Sequence, residues 1–553
     1  MSGLLPPHAT SRPGGAEGLT RGGSNHRRRS GNASLGLLPL ALLLVVITAV
    51  YAPTLNDFFA GDDFLVLGPV INTGPWELIG KSFVMQDDIV YWRPLVSPLY
   101  ALEVHGFGLR PWAFHAVALG LHLANATLLA HVALALTGRR GVSLAAGLLF
   151  GVHAAHTTTV AQISSTVELL SVVWYFGAVL CAVRYVMGAG RRWYWASVAA
   201  FILALLSKES TASAAGVLTA LFVLTWWRRG RPPLRLTTSH GRSRGIEEEI
   251  EGARADARIG GEGPRQGAGP GFGPTARAGG AGRTSGEARH GAMTGPDAND
   301  DAGRALTTGP WRLVRDLAPF WLLVIPYIIF TYVTDTADPT GIVRRMYFPG
   351  VHALPNLWWF LARLAAPLTN GHGPTVSATG HAGAALLLAF GGVALLRGTW
   401  QARFLTLWTL IALTPLAPWR PDLLLGRFTY QAAAPFAVLV ALAGAWAATR
   451  LGGGVRPGRV GVISVALTAA AVLTLGGLTV IQNRERGSES RDYQLLVTAL
   501  RREAPDPPPG TRIALVDGIW SGPFHALYLD AVADTPSGKG ARPHRQPRPR
   551  RRG

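Results

Sequence analysis

The sequence is poor in several residue types on which soluble proteins rely. Its 553 residues contain one cysteine, Cys181, which excludes a disulfide within them and a metal site built from cysteines. Charged residues make up only 15% of the chain, against about 25% in ordinary soluble domains. Lysine occurs three times, so arginine supplies most of the positive charge. The formal net charge of +20 lies outside the apolar runs, which argues against a soluble nucleic-acid-binding protein.

Long apolar runs are what the sequence has in abundance. Hydrophobic residues make up 48% of the chain, and the mean hydropathy is +0.24. A helix needs about 20 predominantly apolar residues to cross a bilayer. The runs predict an all-α polytopic membrane protein with about eleven spans. The predicted spans lie at about 35–53, 112–137, 142–157, 168–187, 193–207, 211–227, 313–333, 381–396, 402–418, 428–449 and 459–481.

Basic clusters orient these spans through the positive-inside rule. Arg27, Arg28 and Arg29 in the polar N-terminal arm predict that this arm is cytoplasmic. Four later basic clusters then fall on the same side of the membrane, whereas the loop 54–111 faces outward. These clusters are Arg139-Arg140, Arg191-Arg192, Arg228-Arg229 and the group Arg450, Arg456 and Arg459.

The same composition shifts predict five regions. A disordered basic arm precedes an N-terminal transmembrane module, a Gly- and Arg-rich cytoplasmic loop separates it from a C-terminal module, and an outer tail follows. The predicted bounds are 1–34, 35–227, 228–310, 311–481 and 482–553. Residues 95–107 predict an interfacial helix and residues 511–517 a short strand. Residues 355–368 predict an interfacial, a re-entrant or a short spanning helix, and the count of eleven assumes that this helix does not cross.

Ionisable residues cluster near the outward ends of the predicted spans. Ionisable groups close to the hydrocarbon raise the free energy of the protein, so their presence there indicates a function. Asp62 and Asp63 follow the first span closely. One of these carboxylates could act as a general base, or the pair could bind a divalent cation, or both could simply be solvated. Asp87 and Asp88 are read as a turn before a helix. The other candidates are Arg93, His153, His156, Glu168, Lys208, Glu209, Arg344, Arg345, Arg427 and Tyr430.

The cations among these residues suit a lipid phosphate. Lys208 is placed to hold one as a point charge, unless Glu209 simply neutralises it. Arg93 and Arg427 either clamp the same phosphate or extend only to the lipid headgroups. His153 and His156 share the spacing of two metal ligands but have no evident third ligand, which favours polar packing between helices.

Five strings together resemble polytopic glycosyltransferases of the GT-C class, in the branch of the transmembrane O-mannosyltransferases and their bacterial relatives. In chain order they are GDD, YWRPL, FGVHAAHTTTVAQISSTVELL, LALLSKES and LGRFTYQAAAPFAVLVALA. The corresponding family strings are YDD, RPL, HPxHxEAVxWIxxRxDLL, SKE and RYxYLPSxGF. This chain departs from them at Ala154, Thr158 and Gln162 and lacks the Pro-Ser after Tyr430. It also lacks the tetratricopeptide repeats of that branch.

The resemblance implies sugar transfer from a polyprenyl-phosphate donor at the outer face, with mannose as the first expectation. Asp62 or Asp63 would be the catalytic carboxylate. The donor-phosphate or pocket residues would be Arg93, His156, Glu168, Lys208, Glu209, Arg427 and Tyr430. The acceptor would be a protein, a glycan or a lipid. The resemblance implies no certain cofactor and leaves dependence on a divalent cation open.

Two other functions compete with this interpretation. A transporter or flippase of a lipid-linked substrate would use the same cations without chemistry, and a non-catalytic relative would retain the fold alone. The Gly- and Arg-rich composition favours a bacterial plasma membrane as the location.

Overall fold

A computed structural model describes residues 34–71, 73–83, 92–229, 310–336, 346–347, 350–368, 375–451 and 457–503. The chain divides into two units, one of residues 1–225 and 309–553 and the other of residues 226–308. Apart from residues 226–229 at the end of one helix, everything described belongs to the first unit.

The described residues form helices, joined by short 3-10 turns and one isolated antiparallel bridge between Tyr347 and Trp419. In chain order the helices are α1 Leu37–Tyr51, α2 Asp63–Ile71, α3 Pro75–Ser82, α4 Val96–Phe107, α5 Pro111–Thr137, α6 Arg140–Gly151, α7 Thr157–Ala161, α8 Thr166–Val186, α9 Arg191–Leu205, α10 Ser213–Arg229, α11 Pro310–Thr336, α12 Ala353–Ala365, α13 Ala378–Arg397, α14 Trp400–Leu413, α15 Tyr430–Leu451 and α16 Pro457–Glu503. The predicted all-α polytopic membrane class is therefore confirmed.

Two of the eleven predicted spans correspond to helices shorter than a bilayer crossing usually needs. Within the described residues, eight helices are long and apolar enough to cross a membrane, or nine if the bent pair α6 and α7 forms one span. The predicted spans 193–207 and 402–418 correspond to α9 and α14, which have 15 and 14 residues. Such helices reach about 21 to 22 Å, which is short of a hydrocarbon core of about 30 Å.

The helices fall into a packed centre and an apolar periphery. In the segment Ile163–Val186, which includes α8, 67% of the span is buried, whereas only 17% of α13 is buried. Leu386 and Leu396 on α13 are 71% and 79% exposed. Large exposed aliphatic side chains are tolerated where the surrounding solvent is lipid, which places α13 at the lipid-facing surface.

Local sequence sets the ends of the central helices. Helix α5 begins with Pro111, whose missing N–H costs nothing in the first turn, and it is followed by Gly138 with a φ of 67°. The segments α6 and α7 are bent by 47° at the break between them, where the His153 side chain accepts a hydrogen bond from the backbone N–H of Ala155.

The helices and the tail that were predicted outside the spans have different outcomes. The helix predicted at 95–107 is present as α4, and the one predicted at 355–368 is present as α12. The apolar run of the last span ends at 481, but α16 continues to Glu503 through a polar sequence. The outer location of the tail from 482 stays a prediction, and the predicted strand at 511–517 lies outside the described residues.

Candidate active site

Four connections meet at one end of the helix bundle, which we call the loop end. They are residues 57–62 between α1 and α2, 152–165 between α6 and α8 with the short α7 inside it, 206–212 between α9 and α10, and 414–429 between α14 and α15. Hydrogen bonds link them across the chain: the backbone N–H of Ser164 donates to Asp63, and Gln431 Nε2 donates to Ser210 Oγ at 3.1 Å. Most of the ionisable residues predicted for the site lie here.

Asp62 and Arg427 form an ion pair at the loop end, although 365 positions separate them in sequence. Arg427 Nη2 lies 3.1 Å from Asp62 Oδ2, and Arg427 Nη1 donates to Ser165 Oγ at 3.3 Å. The two side chains of the pair are 32% and 19% exposed, so that a ligand can reach them. The pair thus joins the predicted carboxylate to a predicted phosphate-binding cation.

Asp63 has a different environment from its neighbour Asp62. Its side chain is 1% exposed, and it accepts hydrogen bonds from the backbone N–H groups of Ala60 at 3.0 Å and Ser164 at 2.7 Å. Burial raises the pKa of Asp63 to about 6, although the two backbone hydrogen bonds lower it. Both carboxylate oxygens are thus occupied in joining the loop 57–62 to the segment before α8.

Arg93 and Glu209 form a second ion pair in a two-pronged geometry. Arg93 Nη2 lies 2.7 Å from Glu209 Oε1, and Arg93 Nε donates to Glu209 Oε2 at 3.0 Å. The side chains are 20% and 35% exposed. The backbone N–H of Leu95 also donates to the Leu206 carbonyl at 3.2 Å, which fixes the entrance to α4 against the end of α9.

Lys208 and Glu168 form a third ion pair, which is much more buried. The two side chains are 8% and 4% exposed, and Lys208 Nζ donates to Glu168 Oε2. This contact brings the end of α9 beside the start of α8, so the two helices run antiparallel. Lys208 is therefore paired with Glu168, whereas the sequence had suggested its neighbour Glu209.

Tyr430 and His122 lie inside the bundle in a hydrogen-bonded network. The Tyr430 hydroxyl lies 2.8 Å from His122 Nδ1, and His122 Nε2 lies 2.9 Å from the Gly151 carbonyl. Because a carbonyl only accepts, the proton is on Nε2, and Nδ1 accepts from the tyrosine. Asn125 Nδ2 completes the network by donating to Tyr430 Oη at 3.2 Å and to the Leu169 carbonyl.

His156 is fully buried against this network. Its ring lies 4.5 Å from that of Tyr430 and 4.6 Å from that of Phe150, and neither ring nitrogen has a hydrogen-bond partner among the described residues. His153 Nε2 donates to the Leu364 carbonyl at 3.1 Å. The two histidines therefore pack between helices, which is the role that their sequence favoured.

Sequence reasoning missed His122 and Asn125, although a signal was present. Both are polar residues three positions apart in the otherwise apolar run of α5. Polar groups inside a predicted span face the protein interior, because lipid cannot satisfy their hydrogen bonds. The same spacing argument identifies the face of α5 that is bonded to Leu169 of α8 and to Tyr430 at the start of α15.

In the part of the chain that the structure describes, no three His, Cys, Asp or Glu side chains are placed to hold a metal ion. Asp87, Asp88, Arg344 and Arg345 lie outside the described residues.

Comparison with curated proteins finds similarity over about a third of the chain. The protein O-mannosyl-transferase Tmtc1 of Drosophila melanogaster is 32% identical over 204 residues, which are 34% of this chain and 23% of that protein. Tmtc2 of the same organism is 37% identical over 190 residues, or 31% and 20% of the two chains. Human TMTC1 is 29% identical over 174 residues, or 29% and 20%.

The resemblance to the O-mannosyl-transferases is confirmed. This chain spans about a fifth of the length of the curated relatives that it matches. No protein-family model matches it.

Two solved structures are also similar to this chain. ArnT from Cupriavidus metallidurans, bound to undecaprenyl phosphate, aligns with a TM-score of 0.43 at 12% identity, covering 90% of this chain and 84% of ArnT. The Archaeoglobus fulgidus oligosaccharyltransferase, tethered to an acceptor peptide, aligns with a TM-score of 0.46 at 12% identity, covering 90% and 63%.

Proposed function

We propose that this protein is a membrane glycosyltransferase that moves a sugar from a polyprenyl-phosphate donor to an acceptor hydroxyl. The observation that carries the proposal is the contact between Asp62 and Arg427 at the loop end, where both side chains are partly exposed. A carboxylate and a guanidinium in contact provide a base for the acceptor and a cation for the donor phosphate. The similarity to protein O-mannosyl-transferases supports a hexose, with mannose first.

A polyprenyl-phosphate donor matches the architecture of the chain. Its tail stays in the hydrocarbon while its sugar lies at the interface, so the enzyme must present its polar groups at the ends of spanning helices. The loop end has that position, with Asp62, Arg93, Glu209 and Arg427 partly exposed. By the positive-inside rule, this end faces outward from the membrane, which we propose to be a bacterial plasma membrane.

The reaction replaces one bond to the anomeric carbon by another. The acceptor oxygen forms a bond to this carbon, and the bond between the carbon and the phosphate oxygen breaks. The Asp62 carboxylate takes the acceptor proton, and polyprenyl phosphate leaves with the bonding electron pair. Arg427 stabilises the charge that develops on the leaving phosphate, which is where preorganised donors lower a barrier most.

The ion pair between Asp62 and Arg427 couples the two halves of this chemistry. In the structure the carboxylate and the guanidinium neutralise each other. A donor phosphate competes for the same guanidinium N–H groups, and its arrival frees the carboxylate for the acceptor. Arg93 and Glu209 form a second partly exposed ion pair. A donor phosphate can replace the Glu209 carboxylate on the Arg93 guanidinium in the same way.

The proposal leaves the acceptor open as a protein, a glycan or a lipid hydroxyl. A divalent cation remains a proposal too, with Asp62 the carboxylate best placed to contribute a ligand because Asp63 is occupied by two backbone N–H groups. Lys208 and Glu168 are proposed to shape the pocket wall, since their burial leaves little surface for a ligand.

The test is sugar transfer from a panel of radiolabelled polyprenyl-phosphate sugars to membrane acceptors. We expect incorporation by the wild type and a loss of about 100-fold or more in Asp62→Asn, the lower range for removing a general base. Asp422→Asn is the matched control, because Asp422 pairs with Arg420 at 2.7 Å and its side chain is 55% exposed. Full activity of Asp62→Asn would contradict the assigned base.

A second outcome separates the competing function. If folded wild-type protein transfers no sugar from any donor but moves a labelled polyprenyl-phosphate lipid between leaflets of a vesicle, the protein is a transporter. In that case, the Asp62 and Arg427 variants should alter lipid movement.

A further inference from the structure

The last helix reaches far beyond the length that a membrane requires. Helix α16 has 47 residues, which correspond to about 70 Å, more than twice the hydrocarbon thickness. Its apolar run ends at Ile481, and the following sequence QNRERGSESRDYQ is polar. We call residues 482–503 the extension of α16.

Ser490 in the extension is bonded to the backbone of the loop that carries Asp62. The Phe58 N–H donates to Ser490 Oγ at 2.5 Å, and the Ser490 hydroxyl donates to the Phe58 carbonyl at 3.2 Å. Ser490 is only 4% exposed. One side chain therefore holds both polar groups of a residue four positions before Asp62.

Apolar contacts accompany these hydrogen bonds. Tyr493 and Val497, on the next turns of the extension, are buried in a cluster with Phe59 and Phe64. The rings of Tyr493 and Phe64 are 5.7 Å apart. The residues that flank Asp62 on both sides thus pack against the extension.

Asp57 adds an electrostatic contact at the start of the same loop. Burial raises its pKa to about 6, while Arg486 and Arg491 on the extension lower it. A Cβ placed on Gly487 would lie 3.2 Å from Asp57 Oδ1, so the loop passes close to the helix at this glycine.

We propose that the extension of α16 positions Asp62 for proton transfer, and that Ser490 is a positioning residue. This inference rests on the proposed function. The loop 57–62 is held on one side by Asp63, bonded to Ser164, and on the other by the extension. Asp62 lies between these two attachments and pairs with Arg427, so the direction of its carboxylate depends on how the flanking backbone is fixed. A misplacement of about 1 Å in a reacting group is enough to cost about 100-fold in rate.

The first experiment compares Ser490→Ala with Ser488→Ala. Ser488 is the matched control, since it lies on the same helix and its hydroxyl donates only within it, to the Glu485 carbonyl at 2.5 Å. We expect Ser490→Ala to lower kcat for sugar transfer about tenfold with the KM for the donor unchanged, and Ser490→Thr to restore most of the rate. Unchanged kcat in Ser490→Ala would overturn the inference.

The second experiment follows the loop without using activity. Hydrogen exchange of peptides covering residues 57–63 should be faster in Ser490→Ala than in the wild type, and unchanged in Ser488→Ala. If exchange in Ser490→Ala equals that of the wild type, the extension does not hold the loop. A wild type without sugar transfer would instead remove the proposed function, while the exchange result would still show whether the extension holds the loop.

A cross-link provides a rescue. Cys181 is the only native cysteine, so a Cys181→Ala background makes an introduced pair unambiguous. In that background we expect Asp57→Cys with Gly487→Cys to form a disulfide, because the two positions adjoin. Oxidation should then return kcat of a Ser490→Ala variant toward the level of the same protein carrying Ser490. If kcat fails to rise once the disulfide has formed, loop fixation is not how Ser490 acts.

Discussion

Arg427 and Tyr430 are three residues apart in sequence, but they belong to two regions of different chemistry. Arg427 lies at the loop end, where it pairs with Asp62 and both side chains are partly exposed. Tyr430 begins α15 and is fully buried, with its hydroxyl bonded to His122 and Asn125. The first region consists of charges joined across distant segments, whereas the second consists of neutral groups bonded between packed helices.

The difference shows how one bundle separates reactivity from rigidity. A partly exposed ion pair can exchange one partner for a ligand, because water solvates the charge that is briefly unpaired during the exchange. A buried neutral network cannot do so without leaving a donor or acceptor unsatisfied. We therefore expect substitutions of the pairs Asp62–Arg427 and Arg93–Glu209 to alter transfer, and substitutions in the network to alter stability. The pair of Glu168 and Lys208 is charged like the first region and buried like the second.

The largest stability effect should come from this intermediate pair. Lys208→Met leaves the Glu168 carboxylate buried without its cation, which should cost about 3 to 5 kcal/mol in the free energy of unfolding. The measurement is the denaturation midpoint in detergent. Lys81→Met is the control, because Lys81 and Glu77 form an exposed i,i+4 pair whose side chains are 43% and 59% exposed.

The double variant Glu168→Gln with Lys208→Met sharpens the same point. Removing both charges should recover a large part of the loss, because no unpaired charge remains buried. The double variant could instead be as unstable as Lys208→Met. The instability of Lys208→Met would then come from the lost attraction between the two charges, and not from leaving one charge buried without a partner.

A second, smaller effect concerns the pH dependence of stability at Asp63. Its folded pKa of about 6 lies above the ordinary value of 3.8, so the folded state holds the proton to higher pH than the unfolded state. The contribution of Asp63 is thus fully present below about pH 4 and is lost as the pH rises to about 6, by up to about 3 kcal/mol.

The measurement for Asp63 is the melting temperature between pH 4 and pH 7, compared with that of Asp63→Asn. The variant loses a hydrogen-bond acceptor and should be less stable at pH 4, but the difference from the wild type should shrink as the pH rises. A constant difference over this range would show that Asp63 has the same pKa in the folded and unfolded states.

The smallest of the three effects is expected in the neutral network. Tyr430→Phe removes the hydroxyl that donates to His122 Nδ1, which leaves a buried acceptor unsatisfied at a cost of about 1 to 2 kcal/mol. The KM for a polyprenyl-phosphate donor should stay unchanged, which distinguishes this region from the loop end. Tyr347→Phe serves as the control at a residue that is 40% exposed. A raised KM in Tyr430→Phe would instead place this tyrosine in the donor pocket.

Much of the fold was predictable, because a bilayer demands a simple sequence signal. Every predicted span overlaps a described helix, although the one predicted at 142–157 is broken after α6, and α4 and α12 were expected as shorter helices. The extension of α16 was not predicted, since its polar sequence carries no hydrophobic run. Tyr493 and Val497 stabilise the extension by packing against Phe59 and Phe64. These partners are more than 400 positions away in the chain, so the local sequence does not indicate the contact.

The candidate site was predictable as a set of residues but not as a set of pairs. The positive-inside rule placed Asp62, Arg93, Glu168, Lys208 and Arg427 at the same ends of their helices, and the structure brings them to the loop end. The choice of Glu168 for Lys208, and of Glu209 for Arg93, depends on which helices pack side by side.

The sequence by itself determined the membrane class, the approximate spans and the end of the bundle where charges gather, because each depends on local hydropathy and composition. Only the tertiary structure separated Asp62 from Asp63. The two carboxylates are neighbours of identical chemistry, and their environments differ because the buried Asp63 is bonded to the backbone of Ala60 and Ser164 while Asp62 pairs with Arg427. Burial and pairing are properties of segments hundreds of residues apart, and they arise only when the chain has folded.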